Sequence, residues 1–169
     1  MLNNTDAIEL MQALQAELKT YIAQGHGPFL AAIYDQQGTL IAKAANSVVQ
    51  EQCSHCHAEM NAIRLAQQKL KTYDLSSYKL SLFVTSEPCL MCVGGIMWSG
   101  LQAVYYGVSS DMVEAITGFD EGFKPQWEQA LQKRGIAVHG HLATPEGEEV
   151  LKWYVAQGHP FYGPRRKKD

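Results

Sequence analysis

His57-Ala58-Glu59 and Pro88-Cys89-Leu90-Met91-Cys92 are the two stretches on which the fold and chemistry of this chain turn. Each stands at a strand-to-helix junction, and Pro88 suits the first turn of the helix that follows it. Cys89 and Cys92 are three apart at a helix start, so both thiols point to one side. A helix N-terminus favours thiolate, the form that binds zinc. His57 opens the preceding helix and supplies a nitrogen. One imidazole and two thiolates make a tetrahedral-type donor set with one vertex open. Structural zinc sites are closed by four protein ligands, whereas catalytic ones keep a position for water. Glu59 shares the first turn with His57 and need not be a ligand. A carboxylate there takes a proton from activated water and hands it to a leaving amine. A structural zinc or a redox pair are the competing readings. The joint occurrence of both segments, with Pro88 before the first cysteine, favours the catalytic ion.

Working outward, apolar positions Ile8, Met11, Leu14, Leu18, Tyr21 and Ile22 follow helical spacing, with Asp6 and Glu9 as a capping box and Gly25 as a stop. Residues 29–34 and 39–45 read as strands around the turn Asp35-Gln36-Gln37-Gly38, a β-hairpin. Helical spacing returns over 58–70. A strand is predicted over 80–85, a helix over 89–98 ended by Gly100, and a strand over 103–106. Pro125 opens a helix through Arg134. Residues 136–142 alternate like a strand, which would set His139 and His141 on one face as structural residues. Thr144-Pro145 begins a last helix that Gly158 closes. This order indicates one domain, 1–169, with helices on both faces of a sheet.

The 169 residues are 46% hydrophobic and 18% charged, enough for a core and too apolar for global disorder. No apolar run approaches the roughly 20 residues of a membrane span, and the start carries no secretory pattern, so a soluble cytoplasmic protein is expected. Fourteen basic and 17 acidic residues give a net charge of −3. Four of the basic groups are Arg165, Arg166, Lys167 and Lys168, read as a solvated tail. The body is therefore more acidic still, a poor match for a polyanion, so a nucleic-acid partner is not expected.

The order His-x-Glu, then Pro-Cys-x-x-Cys, is the signature of zinc nucleobase deaminases. Over residues 27–123 the chain resembles the cytidine deaminase superfamily. That resemblance implies an α/β fold, a three-layer αβα sandwich with a mixed five-stranded sheet. It also implies a zinc ion on His57, Cys89 and Cys92, Glu59 as the catalytic proton shuttle, and hydrolytic loss of an exocyclic amine as ammonia.

Further segments resemble guanine deaminases: Gly27-Pro28-Phe29, Asn46 eleven residues before His57, Trp98, and Gly118-Phe119-Asp120-Glu121. The resemblance implies a free purine base as substrate, guanine giving xanthine, with Asn46, Phe29, Ala58, Trp98 and Asp120 as substrate contacts. The residue chemistry agrees. A carboxylate accepts from the N–H donors of guanine, an amide gives and accepts, and aromatic rings stack on a base. The resemblance further implies a homodimer in which the segment 159–169 is exchanged, so that Phe161 or Tyr162 lines a partner's site. Alternatives are another base or nucleoside (guanosine, cytosine or a pteridine-like ring), tRNA adenosine, or a non-catalytic binding module; an intact Glu59 speaks against the last. The chain departs from that family at Cys53-Ser54-His55-Cys56, where an Asp-Pro-Thr-type segment is usual. Cys53, His55 and Cys56 could form a second metal site, but three adjacent ligands on one tight loop close a tetrahedron poorly, so Cys56 is expected to be a small buried thiol. His26, between glycines, is read as structural.

Overall fold

A computed structural model describes residues 3–122 and 124–164; the basic run at 165–168 and Phe123 lie outside the described residues. The first helix, α1 (Asn4–Ala23), is capped three residues earlier than expected: Asn3, not Asp6, is the cap, and its side chain accepts the Asp6 N–H at 2.9 Å. The hairpin forms as predicted from β1 (Leu30–Tyr34) and β2 (Leu40–Ala45). Its turn is closed by the Asp35 carboxylate, which accepts from the Gln37 and Thr39 N–H groups. A single turn, α2 (Val48–Glu51), precedes α3 (Ala58–Leu70). Then come β3 (Ser81–Ser86), α4 (Leu90–Ser99), β4 (Ala103–Val108), α5 (Ser110–Thr117), α6 (Trp127–Gln132), β5 (Ala137–His139) and α7 (Thr144–Ala156).

The sheet order is β2-β1-β3-β4-β5. The first two pairings are antiparallel and the last two parallel, so the sheet is mixed, as expected. Side chains alternate between two cores. Leu30, Ala32, Phe83 and Tyr105 face α1, α5 and α7. Ala31, Ile33, Leu82, Val84, Val104 and Tyr106 face α3, α4 and α6. The central strands β1, β3 and β4 are buried throughout, which is why β1, β4 and the middle of β3 read as apolar runs without alternation.

Two expectations need correction. Residues 110–117 form a helix that was not predicted, and the last strand stops at His139 rather than Leu142. His141 adopts φ +64°, which turns the chain over. His139 therefore stacks on Tyr105, while His141 meets Tyr106 edge-on, across the sheet from it. Both are packing residues, but they do not share a face.

Candidate active site

The β3–α4 connection delivers Cys89 as the N-cap of α4, and the loop after α2 delivers His57 as the N-cap of α3. Two helix N-termini thus meet at one end of the sheet. His57 Nδ1 lies 3.5 Å from Cys89 Sγ and 3.6 Å from Cys92 Sγ. All three donor atoms lie within 4.8 Å of one another. Zn–S bonds of about 2.3 Å and Zn–N bonds of about 2.0–2.1 Å at tetrahedral angles put N and S about 3.5 Å apart. The donors are therefore already at zinc spacing.

The electrostatics call for a cation. Hydrogen bonding from Cys92 first, then the His57 contact, lowers the Cys89 thiol to about 4 against the opposing effect of burial. The bond to Cys89 and burial hold Cys92 up. Without an ion, one sulfur keeps a proton for its neighbour; zinc lets both ionise. Burial works to lower the His57 pKa, but the Cys89 sulfur and the Glu59 charge outweigh it and raise it overall. Glu59 is 5% exposed in the first turn of α3. Burial, then the Cys89 charge, holds its carboxyl above the ordinary range, where it keeps a proton more readily.

Around this centre the other expected residues divide. Asn46 is buried, its Oδ1 accepting from the Val48 N–H at 3.3 Å. His26 Nδ1 sits 2.9 Å from the Asn46 carbonyl oxygen, a structural role as expected. Phe29 packs edge-on against Phe119, centroids 5.5 Å apart. The Ala58 methyl is fully buried in the core, at the first position of α3 beside His57. Trp98 stands at the far end of α4, 78% exposed, with Arg134 over its ring at 5.5 Å, and is not brought to the cluster. Asp120 is exposed and accepts from the Gly122 N–H, closing its own turn.

The neighbouring Glu121 faces inward instead. Its carboxyl interacts with the charges of Lys124, Glu59, Cys89 and His57, and burial pushes it up to about 8. Phe161 and Tyr162 pack on Phe119 of their own chain, centroids 5.2 and 5.0 Å away. The Tyr162 hydroxyl is buried without a hydrogen-bond partner among the described residues. A Cβ on Gly27 would collide with that oxygen and lie 3.0 Å from Asn46 Oδ1, so the phenol occupies the space a side chain would fill.

Sequence reasoning missed three positioning groups. Asn61 Nδ2 donates to the Ala45 carbonyl, the Ser47 hydroxyl and the Cys56 carbonyl, tying β2 to the loop before His57. Lys124 pairs with Glu87 at 3.1 Å, both side chains largely buried, and donates to the Pro88 carbonyl at 2.8 Å. Glu87 also accepts from Trp127 Nε1 and the Ser110 N–H. The loop carrying Glu121 is thereby fastened to the turn carrying Cys89.

Residues 4–108 match the family model described as the cytidine and deoxycytidylate deaminase zinc-binding region. The chain belongs to this family. It is a zinc-dependent deaminase by membership, and its donor set fits the ion. A guanine deaminase of Bacillus subtilis is 36% identical over 124 residues, covering 69% of this chain and 76% of the relative. A tRNA-specific adenosine deaminase of Buchnera aphidicola is 34% identical over 152 residues, covering 89% and 94%. A solved structure of a NE0047 variant in complex with 8-azaguanine is 39% identical with a TM-score of 0.86, covering 89% of this chain and 85% of that one.

Proposed function

We propose that this chain hydrolyses guanine to xanthine and ammonia, as a zinc-dependent homodimer in the cytoplasm. The observation that carries the substrate is Glu121, whose carboxyl interacts with Glu59, Cys89 and His57, taken with a buried amide at Asn46. Guanine offers ring N–H and amine donors beside a carbonyl acceptor; a carboxylate and an amide match that edge. The guanine deaminase relative and the 8-azaguanine complex support the same base.

His57, Cys89 and Cys92 would hold the zinc, which when bound supplies Lewis-acid activation of water. Glu59 would carry the two protons of the added water on its carboxylate oxygen, one to ring nitrogen N3 and one to the departing amine. A C–O bond forms at C2, the C2–N bond breaks, and the amine leaves as ammonia. Asn46 and Glu121 orient the ring, and Phe29, Phe119 and Tyr162 exclude water around it. The dimer reading rests on the outer face of α4, where Leu90, Met91 and Trp98 are exposed and Gly94 opens to solvent. Such an apolar stripe on the helix that begins at a zinc ligand suits a second copy of the chain. The cytoplasmic reading is supported by four free cysteines; among the described residues, no helix is long and apolar enough to cross a membrane.

The Buchnera relative favours a second substrate, adenosine in tRNA. Ammonia release from guanine, guanosine, cytosine, adenine and tRNA separates the two. Guanine is expected to turn over, and Glu59→Gln to lose about 10²–10⁴-fold in rate. Turnover of tRNA with guanine inert would overturn the proposal.

A further inference from the structure

The loop between α2 and α3 gathers a second set of metal-type donors. Cys53, His55 and Cys56 place one ligand atom each within 4.8 Å of the others. Cys53 Sγ is 3.3 Å from His55 Nδ1 and from Nε2. A fourth donor comes from the end of α2: Glu51 Oε2 lies 3.5 Å from Cys56 Sγ, while its other oxygen accepts from the Ser47 hydroxyl. These separations are close to the roughly 3.5 Å that two ligands of one tetrahedral zinc keep from each other. None of these donors belongs to the His57, Cys89 and Cys92 cluster.

The local backbone explains how so short a loop brings them together. Gln52 adopts φ +51°, ψ +43° in the left-handed region and reverses the chain at the end of α2. The Cys53 N–H then donates to the Val48 carbonyl and the Cys56 N–H to the Cys53 carbonyl, so the cysteines return toward Glu51. Adjacent ligands alone close a tetrahedron poorly; the reversal and the outside carboxylate remove that objection.

We propose that Glu51, Cys53, His55 and Cys56 bind a second zinc ion in a closed, four-ligand, structural site. Two thiolates and an imidazole select a borderline-soft divalent ion over magnesium or calcium. Four protein ligands leave no vertex for reacting water, so the ion does no chemistry of its own. Its role is to pin the segment that leads into His57. The Cys56 carbonyl accepts from the Ser47 N–H at 2.9 Å and from Asn61 Nδ2, so the pinned loop also holds the residue after Asn46. Free energy of metal binding becomes stability of this loop, as in other small zinc-closed segments.

Elemental analysis of the purified full chain tests this independently of turnover. Wild type is expected to carry about two zinc ions per chain, one for each donor set. Cys53→Ser combined with Cys56→Ser should fall to about one while keeping the folded circular dichroism spectrum. The milder His55→Ala, at an exposed position, should release the same ion to a chromophoric chelator faster than wild type does. Cys89→Ser should lose the other ion and keep this one. About one zinc per chain in wild type would overturn the proposal. So would a second zinc that survives the double substitution, or a Cys53–Cys56 disulfide in protein purified with zinc and without oxidant.

Discussion

Asp120 and Glu121 are adjacent carboxylates, and the sequence offers no reason to choose the second. The structure does. Asp120 accepts from the Gly122 N–H and stays in solvent, while the Glu121 N–H donates to the Glu114 carboxylate, which sets its own side chain toward the site. Glu121→Gln is therefore expected to raise the KM for guanine by roughly tenfold or more, the scale of a hydrogen bond to a charged group. Asp120→Asn should change it little. Steady-state kinetics on the two variants checks this. Glu121 also fixes a pH trend. In the metal-free chain burial pushes it up to about 8 from its ordinary 4.5, so there the protonated form is the one the fold favours; a cation on the neighbouring donors would draw it back toward the carboxylate that the N–H donors of guanine need. The stability it contributes is full below 4.5 and is lost as pH rises toward 8. Thermal midpoints of the metal-free protein between about pH 5 and pH 8 should fall more steeply for wild type than for Glu121→Gln.

At the scale of elements, the site depends on how two loops are fastened to two helix starts. Glu87→Ala would leave Lys124 buried without its partner, a loss of about 3–5 kcal/mol. Chemical denaturation should show that loss, together with lower zinc occupancy, because the same pair braces the turn before Cys89. A fall of under about 1 kcal/mol would mean that water replaces the pair. Much of this level was legible beforehand. The hairpin, α3, α4 and the central strands announced themselves through period, turn residues and Gly100, which caps α4 at φ +83°. The His57, Glu59, Cys89 and Cys92 set was legible because its ligands are local pairs at helix starts. What stayed hidden depends on distant contacts. The helix α5 is only two turns long, and its Ser109 cap makes no side-chain bond; packing of Val113 sustains it. Asn61, Glu87 and Lys124 look like ordinary polar residues until tertiary structure brings them to the loops they tie.

For the whole molecule, the sheet separates two cores, and the working end lies where α3 and α4 begin. The face of α4 turned away from the core is the surface on which a second copy is proposed to sit. Trp98→Glu should raise the dimer dissociation constant by at least about tenfold, as loss of an aromatic anchor does. Sedimentation equilibrium reads this directly, and an unchanged constant would remove α4 from the interface. The acidic balance of the chain also predicts weak retention on tRNA, with a shallow dependence on salt because few phosphates are neutralised.

Gly27 couples the loop after α1 to the segment after α7. Because the phenolic oxygen of Tyr162 occupies the place of its missing methyl, the two are fitted to one another like a key and its slot. An alanine introduced there would act as a wedge, prising the closing residues away while the zinc donors stay in place. Variation at position 27 is thus tied to the identity of a residue 135 positions later, and any relative with a side chain at the first must roof its chamber with something smaller at the second.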